Sequence, residues 1–86
     1  MFARRLQIEV DQDGRPRPCP LEWLDQFFMR HFTGISGLDD TLPVAEGRLE
    51  AGLDVDLNVL HREFEKWLRG RKLIAPGAEL RITTQS

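Results

Sequence analysis

Eighty-six residues, 41% apolar and 30% charged, fit one globular domain spanning 1–86 with a modest core. No apolar run approaches the roughly 18 residues that a membrane span needs, and MFARRLQIEV carries two arginines with no apolar h-region behind them, so neither a span nor a signal peptide is expected. The single Cys19 excludes an internal disulfide and fits a reducing, cytoplasmic setting.

The formal net charge of −2 is unevenly distributed. Residues 1–36 carry five basic and five acidic side chains, residues 37–60 one basic and six acidic, and residues 61–86 six basic and three acidic. Such asymmetry can steer partners but does not bear on fold.

In chain order, Leu6, Ile8 and Val10 alternate with Arg5, Gln7 and Glu9, the period of a half-buried strand. Asp11, Asp13 and Gly14 mark a turn. The prolines of RPRPCP then impose an extended path that discourages a central strand. Pro20 suits the first position of a helix. The helix that follows aligns Leu21, Leu24, Phe28 and Phe32 in one stripe, widened by Trp23 and Phe27, and Gly34 is expected to end it.

Residues 34–46 read as a loop through Gly34, Gly37 and Pro43. Beyond it two readings stay open. Residues 43–51 form a short helix stopped by Gly52, or the alternating Leu49, Ala51, Leu53 and Val55 form a strand over 47–55. Asp56 is the expected N-cap of a helix over 57–69. At about 100° per residue, Leu57, Leu60, Phe64, Trp67 and Leu68 share one face, and Arg62, Lys66 and Arg69 lie opposite. Gly70 is read as its stop, and residues 72–83 as a hairpin turning at Pro76–Gly77.

The fold class is therefore α+β: a small single domain of two or three helices with a short antiparallel sheet or hairpin. A helical 43–51 gives the element order of a winged helix-turn-helix, with 57–69 in the recognition position and 72–83 as the wing. A strand over 47–55 gives a small sheet with two helices packed on it. The winged layout is the preferred expectation.

Catalysis finds little to work with. Cys19 sits among prolines, far in sequence from His31 and His61, whereas a thiol nucleophile needs an adjacent base and an oxyanion site. Three scattered Cys and His residues fall short of the usual four zinc ligands. DQDGRPRPCPLE starts like a calcium loop but places Gly14 two positions too early and fills the remainder with proline. Asp54 and Asp56 could share a cation on a strand, though Asp56 as a helix cap is the simpler reading. TGISG lacks both dinucleotide-loop and P-loop spacing. No enzyme activity, cofactor, metal or small-molecule substrate is expected.

Two surfaces remain. Trp23 and Phe27, four apart with Arg30 beside them, lie off the centre of the core stripe, and these residue types are enriched at interface centres. With charge from Asp39 and Asp40 they make the first expected partner surface. The corresponding function is a small interaction domain that binds a protein or a second copy of itself, as a regulator, adaptor or inhibitor acting by occlusion. The alternative is a winged-helix-like nucleic-acid binder using Arg62, Lys66, Arg69, Arg71, Lys72 and Arg81 against phosphates. An acidic overall charge weighs against it.

Overall fold

The computed structural model describes residues 4–31 and 40–85, with His31 described in its backbone only. The expectations on Phe32, Gly34, Gly37 and Asp39 lie outside the described residues. Strand β1 (Arg4–Asp11) is the axis of an antiparallel sheet. One flank of β1 is covered by β5 (Glu79–Gln85), paired from Arg5↔Gln85 to Asp11↔Glu79. The other flank is shared. Strand β4 (Arg48–Ala51) pairs with residues 4–7, and β2 (Pro16–Pro18) with residues 9–11. Strand β3 (Thr41–Ala45) lies outside β4. Ile8 bridges the shared flank, donating its N–H to the Gly47 carbonyl at 2.8 Å and accepting from the Cys19 N–H at 2.9 Å.

The open question over 43–51 resolves as a hairpin. Strands β3 and β4 meet at Glu46–Gly47, so residues 43–51 are not helical and the strand ends at Ala51, short of 55. Gly47 is fixed there for two reasons. Its φ is +70°, and a Cβ would stand 2.7 Å from the Pro18 Cβ. The winged order of one strand, three helices and a hairpin is therefore not the one formed. The molecule is a small α+β domain with a five-stranded antiparallel sheet and, among the described residues, two helices. None is long and apolar enough to cross a membrane.

Helix α2 (Leu57–Gly70) follows its sequence closely. The Asp56 carboxylate accepts from the Asn58 and Val59 N–H groups, and Leu60, Phe64, Trp67 and Leu68 are buried. Its end differs from expectation. Gly70 is the last helical residue, and Lys72 holds the left-handed conformation at φ 57°. Lys72 donates its N–H to the Arg69 carbonyl and Leu73 donates to the Leu68 carbonyl, which is a Schellman closure. That closure removes the first strand of the expected 72–83 hairpin, because residues 72–74 finish the helix instead. The turn itself is present, closed by the Ala78 N–H on the Ala75 carbonyl at 2.9 Å, and it leads into β5.

The first helix departs further. Helix α1 (Leu21–Asp25) is regular, but Gln26–His31 continues as a π-helix. A π-turn takes more residues per turn than an α-turn, so the consecutive Phe27 and Phe28 both turn inward. They lie edge-on to each other at 4.9 Å, and each packs on Phe64, at 5.0 and 5.2 Å. The expected stripe is corrected accordingly: Leu24, Phe27 and Phe28 are core, while Leu21 is 43% exposed.

Both helices cover one face of the sheet, where Leu6, Ile8, Val10, Leu49, Ala51 and Leu80 join them in a single cluster. On the other face Arg5, Gln7, Glu9, Arg81, Thr83 and Gln85 alternate outward, as an antiparallel sheet with one solvated side requires.

Candidate functional site

Among the described residues, the expected partner surface does not come together as one exposed patch. Phe27 is 1% exposed and touches Phe28, Phe64 and Trp67, so it is a core residue and not an exposed anchor. Trp23 is half-buried against the core, beside a shallow hollow that it shares with Arg15, Arg17, Pro18 and Pro20. Arg30 is exposed and stands 4.0 Å from Asp25. Asp40 accepts the Gly52 N–H through its backbone carbonyl at the start of β3, away from Trp23 in the chain.

The basic set is divided as well. Arg69 donates to the carbonyls of Ala75, Pro76 and Ala78 and pairs with Glu65 at 2.9 Å. Its guanidinium therefore clamps the turn that delivers β5. Arg71 lies over the Trp67 ring at 5.0 Å. Arg81 reaches Asp11 at 3.3 Å and Glu79 at 3.4 Å on the helix-free face of the sheet. Lys72 occupies the helix closure. Among the described residues, Arg62 and Lys66 alone of this set are exposed on α2 without an ion pair.

The chemistry of single residues is equally settled. Cys19 is fully buried, and burial, reinforced by the Glu46 carboxylate, pushes its thiol up to about 12, so it stays protonated and inert. Asp54 lies in the turn after β4, and Asp56 is the helix cap. Among the described residues no three of His, Cys, Asp and Glu come together to hold a metal ion.

What the fold does present is a sheet with three edges of unequal character. In an antiparallel ladder, alternate residues point their N–H and C=O groups toward one neighbour or the other. Ile8 directs both of its groups toward β2 and β4, so its pairing with Ile82 carries no backbone bonds. By alternation, Leu80, Ile82 and Thr84 point their N–H and C=O groups away from β1, to the outer edge. His61 supports this: its Nε2 lies 2.7 Å from the Leu80 carbonyl, reached from α2 outside the sheet. Among the described residues, no strand pairs with Ile82 and Thr84 on that side.

The same alternation places the prolines. Arg17 on β2 and Cys19 just after it turn inward, so Pro16 and Pro18 face out. On β3, Leu49 turns its groups toward Leu6, so its partner Pro43 also faces out, next to a bulge between Pro43 and Ala45. Each of these prolines removes a donor from an outer edge, a common way of blocking unwanted strand pairing. Strand β5, ELRITTQ, has no proline and no bulge. Period-2 alternation in ELRIT is visible in the sequence, but which strands become edges depends on pairings that the sequence does not display. No protein-family model, curated protein or solved structure matches this chain.

Proposed function

We propose that this protein is a small non-enzymatic interaction domain that binds a protein, either a foreign one or a second copy of itself, as a regulator, adaptor or inhibitor, by accepting an extended strand along β5. The observation that carries this reading is the contrast between edges. Strands β2 and β3 have proline at outward-facing positions, while β5 has outward N–H and C=O groups at Ile82 and Thr84. Strand addition gains main-chain hydrogen bonds for affinity and alternate side chains for specificity.

The proposed contact residues are thus Ile82, Thr83 and Thr84, with Arg62 on the neighbouring helix as a charged rim. Trp23 and Arg30 remain accessible but do not form a joint surface with Phe27. The domain acts by occlusion in this reading, since an added strand covers a stretch of its partner without chemistry.

Immobilised protein would be exposed to extract from its source cells, comparing the wild type with Thr84→Pro and with Arg62→Glu/Lys66→Glu. Partners are expected to be retained by the wild type, weakened in the charge variant through the rim position Arg62, and lost with Thr84→Pro. Capture that ignores Thr84→Pro would remove β5 as the docking edge. Duplex DNA binding that falls steeply between about 50 and 200 mM salt and vanishes in the charge variant would instead favour the nucleic-acid alternative.

A further inference from the structure

We propose that the strand added to β5 is the β5 of a second copy, paired antiparallel about a two-fold axis at Thr83. This rests on the reading of β5 as the docking edge and names its occupant.

The argument comes from register. A symmetric antiparallel pair is defined by the residue that faces itself. With the axis at Thr83, Ile82 faces Thr84 of the other copy and Thr84 faces its Ile82. These are the outward-pointing residues, so each pair exchanges two backbone bonds and every N–H and C=O on Ile82 and Thr84 is satisfied. The Leu80 carbonyl, already held by His61, is not needed.

Registers centred earlier on β5 are worse. An axis at Ile82 or Leu80 requires the Leu80 carbonyl to take a second partner beside His61. An axis at Arg81 sets two arginines directly opposite each other, and like charges so placed are destabilising. With the axis at Thr83 the facing side chains are Thr with Thr and Arg81 with Gln85, and no like charges meet. Threonine pairs across strands are favourable. A net charge of −2 per chain opposes the approach of two copies only weakly. The result is a C2 isologous contact that joins two sheets edge to edge.

Thr83 would then sit in a pair without backbone bonds, where Cα atoms approach to about 4.5 Å, close enough for a disulfide, which spans about 4.4–6.8 Å. Thr83→Cys is the test, since the native Cys19 is buried and does not compete. Mild oxidation should convert Thr83→Cys into a covalent dimer, while Val44→Cys, exposed on β3, stays monomeric. In sedimentation the wild type should shift toward twice the monomer mass as concentration rises, and Thr84→Pro should lose that shift with an unchanged circular dichroism spectrum. The substitution suits the fold because the Thr84 N–H points away from β1.

A wild type that stays monomeric, with Thr83→Cys oxidising no faster than Val44→Cys, would overturn self-pairing. If Thr84→Pro still abolished capture of another protein, the docking edge would stand with a foreign strand as its occupant. A dimer indifferent to Thr84→Pro would also overturn the proposal, because the copies would then meet elsewhere.

Discussion

The two helices lie side by side on the same sheet face, yet they are held in different ways. Helix α2 is specified locally at both ends, by the Asp56 cap and by the Schellman closure through Lys72 and Leu73. Helix α1 begins at Pro20 with no side-chain cap and passes after Asp25 into a π-helix. That segment gains its shape from packing: Phe27 and Phe28 both reach Phe64, and Phe27 also reaches Trp67 at 5.4 Å. In a regular α-helix consecutive side chains point about 100° apart, as the buried Trp67 and Leu68 do on α2, whereas the π-turn brings Phe27 and Phe28 closer together than that. The difference teaches that local signals fix one helix, while burial bends the other to suit it.

The sharpest way to break this comparison is Phe27→Ala. Removing a fully buried phenylalanine costs about 3–5 kcal/mol, from lost transfer energy and the cavity left behind. With packing as the cause of the π-turn, the loss should also release the backbone around it. Urea unfolding is expected to show the full destabilisation, and amide exchange over residues 26–30 should accelerate more than over residues 60–68. A π-segment that keeps its protection without Phe27 would mean that its own sequence, not the core, dictates the shape.

This contrast also explains what the sequence disclosed. The cap, the apolar face and the length of α2 all follow from neighbouring residues, so they were readable, as was the alternation of β1. The π-turn was not, because it answers to Phe64, which lies 36 and 37 positions away from Phe28 and Phe27. The β3–β4 hairpin was half legible: a strand over 47–55 was one of two open readings, and β4 falls within it, while β3 was not foreseen. Glu46–Gly47 is a turn signal, but only the contact with Pro18 and the ladder to β1 make it one, and both are remote in sequence. The proposed interaction surface was the least legible. Phe27 and Arg69 have the right residue types for partners, yet the core and the 75–78 turn claim them first. An open strand edge has no composition of its own, since it is defined by the strands that do not pair with it.

Asp56→Ala is the next test, aimed at the locally specified helix. Loss of an aspartate N-cap costs about 0.5–2 kcal/mol, and here it leaves the Asn58 and Val59 N–H groups to water. The expected outcome is a lower urea midpoint with an unchanged slope, together with faster exchange in the first turn of α2 and no change in residues 21–30. Equal fraying of both helices would erase the distinction between them.

The smallest effect should come from Lys72→Gly, and its sign is the reverse. A non-glycine residue in the left-handed region carries a steric cost of about 1–2 kcal/mol, which Lys72 bears at φ 57°. Glycine relieves that cost but loses more chain entropy on folding, so a net gain of about 0.5–1 kcal/mol is expected from the balance of these terms. Gly70, two positions earlier, is not in that conformation and has nothing within 4 Å of a built Cβ. Gly70→Ala should therefore also be tolerated, because alanine favours the helix interior. If Lys72→Gly were neutral while Gly70→Ala destabilised, the helix would end at Gly70 as its sequence alone suggests. The Leu73 N–H would then no longer close on Leu68, and residues 72–74 would be released to pair as a strand.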